Sequence, residues 1–416
     1  IEIKESLLRK GHIFRGNSDV EVIIHLYEEY GSRCVEFLEG MFAFAIWDRK
    51  NQTVFIARDR IGEKPLFYYD SSDFFIFASE MKSILKVSQK VLSLNSFALK
   101  NILIYPVTPS PSTFFKDVFQ LPPAITLTYR NSEINLNKYW FLQIKRSSVR
   151  NINEEFENLF SNTIYKTIRS DVPIAVLLSG GIDSSIVTYE TAKFNKKLTA
   201  FVVSDTSNSN DAELIRARRV AKSLGIKLVE IDFEARDIVD IPRILCNYDQ
   251  PIPNFAILYA DYLYKTISEY VKVALTGNGA DEIFAGYSGY NQISKDYFII
   301  RLISKFSFLN FLFNGNFKKK LLKAKSYSNH PNADLRGIFF NENADELSRN
   351  LFTAEFLQET SSEFPGKYID AYANECNSSS QIDIAMYTDL MINHTHGHTV
   401  IGDIAGMAHG LEVRSP

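Results

Sequence analysis

The sequence predicts two domains of different class: an α+β domain with antiparallel sheets over residues 1–145, then a doubly wound α/β domain over residues 154–416. Three observations predict this. A chain of 416 residues is too long for one ordinary domain. Short apolar and aromatic runs follow one another closely between Met41 and Ala78, as strands joined by tight turns do. Beyond Glu154, apolar runs alternate instead with helical patterns, and the first run breaks at Ser179-Gly180-Gly181 into a helix start.

In the first domain, Phe14 leads into Ser18-Asp-Val-Glu21, which fits a capping box with Ser18 as N-cap and Glu21 at the third helical position. Val20, Ile23, Ile24 and Tyr27 repeat at helical spacing, and Gly31 can end that helix. Strand-like runs follow at Met41–Trp47, Thr53–Ala57, Leu66–Tyr69 and Phe74–Ala78, the last two joined as a hairpin by Asp70-Ser-Ser-Asp73. Cys34 ends the helical pattern beside Val35, Phe37 and Leu38, and reads as a small buried thiol. Arg58, Asp59, Arg60 and Lys64 read as a structural charge cluster in a turn.

The polar stretch Ser147–Asn153 is a linker candidate. A helical pattern over Glu154–Ser170 leads to the apolar run Ile174–Leu178, a buried strand of a parallel sheet. Asp183, Ser184 and Ser185 open the next helix, which continues to Lys193. Leu198–Val203 and Lys227–Ile231 are further strands, with a helix starting at Asp211-Ala-Glu213 between them. A strand, a small-residue turn and a helix N-terminus bring backbone N–H groups together and favour an anion. The glycines let the backbone approach that anion closely. No Gly-Lys-Ser/Thr follows them, so the loop is not a Walker A loop, nor is it the G-x-G-x-x-G dinucleotide turn. A second strand ends in a glycine turn and an acidic pair at Val271-Lys-Val-Ala-Leu-Thr-Gly-Asn-Gly-Ala-Asp-Glu282, followed by Phe284-Ala-Gly-Tyr287.

Composition excludes several classes. A net charge of −3 argues for neither nucleic acid nor a membrane surface. Cys34, Cys246 and Cys376 form no metal spacing or disulfide framework, which suits a reducing cytosol. No apolar run approaches transmembrane length. The chain begins at Ile1 without Met and stops at Pro416 in mid-pattern, so a fragment is expected. Residues 288–380 are helical and aromatic in pattern, and Lys318-Lys-Lys320 reads as a solvated face. His394, His396 and His398 alternate and His409 follows; without carboxylate or cysteine spacing they read as loop histidines rather than zinc ligands.

The string Ala175–Ser185 resembles the pyrophosphate loop (PP-loop) of enzymes that split ATP between its α- and β-phosphates. Gly40-Met-Phe-Ala-Phe-Ala-Ile-Trp-Asp48, Ala57-Arg-Asp-Arg-Ile-Gly-Glu-Lys-Pro-Leu66, Phe77-Ala-Ser-Glu80, Leu121-Pro-Pro123 and Lys138-Tyr-Trp140 resemble the class II glutamine amidotransferase domain. That domain normally has Gly where Ala124 stands. Met407-Ala-His-Gly-Leu-Glu-Val-Arg-Ser-Pro416 and the Tyr248-Asp-Gln-Pro-Ile-Pro253 loop complete a resemblance to glutamine-hydrolysing asparagine synthetases over most of the chain.

The resemblance implies an N-terminal-nucleophile hydrolase-like fold of stacked antiparallel sheets, followed by a PP-loop ATP pyrophosphatase domain. It implies glutamine, ATP and a carboxylate acceptor as partners, by default aspartate, with Mg²⁺ as cofactor. The cytoplasm is the expected location, and a homodimer is compatible with the family. Leu177, Ser179, Gly180, Gly181, Asp183, Ser184, Val203, Thr276 and Gly277 fall on the ATP and pyrophosphate site, with Val203 at the adenine. Asp183 and Asp281 fall on Mg²⁺–pyrophosphate, as Mg²⁺ takes one or two hard carboxylate ligands. Asp19 falls on the glutamine amino group and can also complement its helix dipole. The family's nucleophile is a cysteine at the mature N-terminus, and Ile1 does not match it. Two further positions depart. Asn278 stands where the family has Glu or Asp, and Ile404, with Ile401 nearby, stands where a basic residue precedes Met-Ala. Another acceptor, such as a uronic acid or a peptide side chain, or a nucleotide-binding relative without catalysis, therefore remains beside the default.

Overall fold

The structure is a computed structural model and describes all residues except 72, 89–91, 104, 106, 147–150, 205–210, 234–240, 291–343 and 363–365. Lys318–Lys320, the start of the linker candidate and Ser72 of the hairpin turn lie outside the described residues. The chain forms two compact units, Ile1–Ala98 with Thr108–Gln143, and Leu99–Val107 with Ile144–Pro416.

The first unit contains α1 (Glu2–Arg9), α2 (Asp19–Tyr30), β1 (Ala43–Asp48), β2 (Thr53–Arg58), β3 (Phe67–Asp70), β4 (Phe75–Ala78) and α3 (Met81–Ser88). The short α4 (Ser96–Asn101) follows, then β5 (Val118–Gln120), β6 (Ile125–Arg130) and β7 (Glu133–Lys138). The strands form two antiparallel sheets, β1-β2-β6-β7 and β4-β3-β5. Alternation of side chains along each strand sets the layers. Phe55 and Ala57 of β2 face Leu7 of α1 and Leu26 of α2, whereas Ile56 turns to Tyr68 of β3 and Leu127 of β6. Phe67 and Tyr69 of β3 pack on Met81 and Ile84 of α3. The layers thus run helix, sheet, sheet, helix.

Local details depart from the expected capping box. Ser18 does cap α2, but its hydroxyl accepts from Val20 N at 3.2 Å. Glu21 reaches past it and accepts from Arg15 N and Gly16 N at 2.7 and 2.9 Å, which holds its carboxyl below the usual range. The loop before the helix bends back far enough to offer those amides, which three-residue spacing does not encode. Gly31 ends α2 at φ +60°, and Cys34 is fully buried, as expected. The turn cluster is structural: the buried Arg58 guanidinium donates to the carbonyls of Gly62, Lys64 and Leu121, and Asp59 accepts from the amides of Phe42, Glu63 and Lys64.

The second unit adds α5 (Ile152–Thr167), β8 (Ile174–Leu177), α6 (Ile182–Phe194), β9 (Thr199–Ser204), α7 (Ala212–Leu224) and β10 (Lys227–Asp232). Then come α8 (Ile241–Asn247), α9 (Ala256–Ser268), β11 (Val273–Leu275) and α10 (Ala280–Phe284), later helices over Lys367–Glu375, Gln381–Asp389 and Thr399–Ala408, and β12 (Glu412–Arg414). The start of α5 at Ile152 makes the last residues of the expected linker helical. The sheet is parallel throughout, in the order β10-β9-β8-β11-β12. Val176, Val202 and Leu275 face α5, α6 and α7 through Ile164, Val187, Leu214 and Ala217. Ala175, Phe201 and Ala274 face α8, α9 and the Thr399–Ala408 helix on the other side. Burial on both faces explains why these strands read as unbroken apolar runs. From β8 the chain moves outward to β9 and β10, then returns to place β11 on the opposite side of β8.

Candidate active site

That reversal puts a switch point between β8 and β11, and ligands of such sheets sit beyond the strand ends there. Both glycine turns lie at this point. In the first, Ser179 Oγ lies 3.0 Å from Ser184 Oγ, and Gly181 opens α6 with an extended backbone. Gly180 has φ +73°, and a Cβ there would lie 2.5 Å from Cβ of Arg216. Only glycine lets α7 approach so closely. In the second turn, a Cβ on Gly277 would lie 3.0 Å from Ser184 N, so the two loops touch at the N-terminus of α6. Thr276 is buried, and its hydroxyl accepts from Asn278 N at 3.3 Å.

A cavity of about 430 Å³ opens over the meeting of the loops. Its walls include Leu177, Ser179, Gly181, Asp183, Ser184, Val203, Thr276, Gly277, Asn278 and Asp281. The structure therefore brings together every residue expected at the ATP site except Gly180, which faces α7 and shapes the loop from behind. Asp19, in the first unit, is an exposed residue of the first turn of α2. Burial raises the Asp281 carboxyl above its ordinary value, and the charges of Asp183 and Glu282 add to this. Two carboxylates repelling one another beside the two glycine turns fit a divalent cation with oxygen ligands.

A neighbouring cavity of about 380 Å³ shares Asn254, Tyr287, His398 and Ile401 with the first. Its wall carries Glu282 and Asp389, both buried. Tyr287 OH donates to Glu282 at 2.9 Å, and Tyr290 OH donates to Asp389. Burial raises the Asp389 carboxyl and both phenols. His394 Nδ1 and His398 Nε2 face Glu282 at 3.9 and 3.8 Å, and burial lowers the His394 imidazole against the pull of that carboxylate.

These histidines are not in a loop. They lie on a π-helix over Leu390–His398, continuous with the helices before and after it. Alternating histidines fit no α-helical face, which hid the helix, but residues 394 and 398, four apart, share a side. That spacing was the available signal. Ile404 does not reach the site: it packs among the apolar side chains beneath the sheet, whereas Ile401 faces both cavities. Asn254, Tyr259 and Glu213 also line the larger cavity and carried no sequence signal beyond their elements.

Fold and site together define a doubly wound α/β domain whose two glycine turns meet at a strand-end cleft. The chain belongs to the asparagine synthase family: the model described as Asparagine synthase matches residues 155–416, and one described as Glutamine amidotransferase domain matches residues 1–140. Among curated relatives, glutamine-hydrolyzing asparagine synthetase 1 of Bacillus subtilis (strain 168) is 32% identical over 296 residues, covering 70% of this chain and 46% of that protein. Glutamine-hydrolyzing asparagine synthetase 3 of the same organism is 30% identical over 312 residues, covering 70% and 50%. The chain thus spans about half the length of the curated relatives it matches. Among solved structures, an NH3-dependent NAD synthetase from Campylobacter jejuni matches with a TM-score of 0.24 at 16% identity, over 52% of this chain and 96% of that one. No helix among the described residues is long and apolar enough to cross a membrane.

Proposed function

We propose that the protein converts a carboxylate to an amide in two steps. The acceptor carboxylate attacks the α-phosphorus of ATP, giving an acyl-adenylate and pyrophosphate. Ammonia released from glutamine attacks the acyl carbon, and AMP leaves. The observation that carries this reading is the meeting of the two glycine turns at the switch point, with Asp183 and Asp281 in one cavity. The amides of the first turn and the Ser179 and Ser184 hydroxyls receive the departing pyrophosphate, and Val203 bounds the adenine. Asp183 and Asp281 would hold Mg²⁺, which neutralises charge developing on pyrophosphate. The layered first unit supports an N-terminal-nucleophile hydrolase-like domain over residues 1–145, with Asp19 at the glutamine amino group, ahead of the synthetase domain over residues 154–416; Ile1 does not supply the cysteine that glutamine hydrolysis needs, and the buried Cys34 does not replace it.

Aspartate is the family default, but a different carboxylate is the second reading, and Asn278 and Ile401 favour it. Both line the cavity; Asn278 stands at the family's acidic position, and Ile401 lies near position 404, where the family has a basic residue. Pyrophosphate release with ATP and ammonia, with aspartate or other carboxylates supplied in turn, tests both. Release with no carboxylate at all would remove the ligase reading.

A further inference from the structure

The first unit holds a group of converging side chains of its own. His12 lies just beyond α1; His25, Glu28 and Glu29 lie on α2. Nδ1 of His12 and Nδ1 of His25 are 3.1 Å apart. Glu28 Oε2 is 2.9 Å from the His25 nitrogen and 3.7 Å from that of His12. A point equidistant from these three atoms lies about 1.9 Å from each, close to the roughly 2.0–2.2 Å of zinc–nitrogen and zinc–oxygen bonds. An ion at bonding distance therefore sits just out of their plane.

The ring protons of the two histidines also leave room for a cation. His12 Nε2 lies 3.2 Å from Glu29 Oε2, so its ring proton belongs there, and Nδ1 presents a lone pair. One proton on His25 Nδ1 then faces two acceptors, His12 Nδ1 and Glu28. A cation in its place satisfies all three. Glu29 is itself fixed by Lys10 Nζ at 2.6 Å, which completes a carboxylate–histidine arrangement typical of metal ligands. The His12 and His25 side chains are 14% and 16% exposed, while that of Glu28 is 58% exposed, so the rings are held and the carboxylate gives access. Phe14 packs edge-on against His25 at 4.5 Å between centroids and helps to fix it.

We propose that His12, His25 and Glu28 bind one divalent transition metal of the zinc class, with water completing the coordination. Imidazole nitrogen selects such ions over Mg²⁺ and Ca²⁺. The ion clamps the segment after α1 to α2, independently of the chemistry proposed for the second unit. The test uses the untagged 416-residue chain, stripped with chelator and titrated with Zn²⁺ by calorimetry, with melting followed in parallel. One saturable equivalent lost in His25→Ala is expected, unaffected by millimolar Mg²⁺ or by His398→Ala. Glu28→Gln, an exposed change that leaves the fold intact, should weaken binding by about tenfold or more and cut the zinc-induced rise in Tm. Cobalt should give the absorption of a low-coordinate N/O site. Absence of saturable binding, or binding unchanged by Glu28→Gln, overturns the proposal.

Discussion

Gly180 shows how one residue constrains the site. Its φ of +73° lies in the left-handed region, and Arg216 and Ala217 leave no space for a Cβ. Gly180→Ala should cost on the order of 1–3 kcal/mol from strain alone, more with the clash, and weaken ATP binding; calorimetric melting and nucleotide titration measure both. Asp281 offers a pH test. Its folded-state carboxyl is raised by burial and by Asp183, so its contribution to stability is full below the ordinary carboxylate value and is lost as pH rises through the raised value. Asp281→Asn removes that loss. In the absence of nucleotide the variant should lose less stability than the parent between about pH 4 and pH 7. It should also bind Mg-ATP about tenfold or more weakly, ~1.4 kcal/mol. Unchanged Mg-ATP affinity would leave Asp281 a structural aspartate. Cys34 is fully buried and its thiol is pushed up to about 12, so alkylating reagents should label Cys246 and leave Cys34 unmodified in the folded chain.

Elements act through their contacts. Gly277 has no positive φ, so its requirement for glycine comes from the approach of the second turn to Ser184 N. Gly277→Ala should push the two turns apart by a few tenths of an ångström. The expected result is weaker ATP binding with far-ultraviolet circular dichroism unchanged. In the first unit, Phe55 is 1% exposed beneath α1 and α2. Phe55→Ala should cost roughly 3–5 kcal/mol in denaturant unfolding of that unit. Strands and helices of this kind were readable because side-chain alternation and helical spacing record which face is buried. The π-helix over Leu390–His398 was not, since its pattern matches neither period.

At the scale of the whole molecule, the cavity joins segments far apart in sequence: residues 177–184, residues 276–281, His398 and Ile401. Under the proposed function, the lining of this cavity bears on the choice of acceptor. Asn278 keeps the size of a carboxylate side chain but accepts no proton at neutral pH. Aspartate should therefore be a poor acceptor, with aspartate-dependent pyrophosphate release well below about 1 per second. Asn278→Glu should raise that rate if the carboxylate is the missing part. A wild-type rate at or above that value would refute the prediction.

By itself the sequence determined the two fold classes, the strand–turn–helix string at Ser179–Ser184 and the acidic pair after the second turn. Each of these is local: apolar period, glycine punctuation and helix-start residues act within a few positions. Tertiary structure alone decided that the two turns touch, because strand order depends on how β11 returns beside β8 and no local pattern encodes it. It also decided that Ile401 rather than Ile404 faces the cavity, since helix rotation is set by packing against the sheet. The convergence of His12, His25 and Glu28 was likewise hidden, because it depends on how the chain after α1 folds back onto α2.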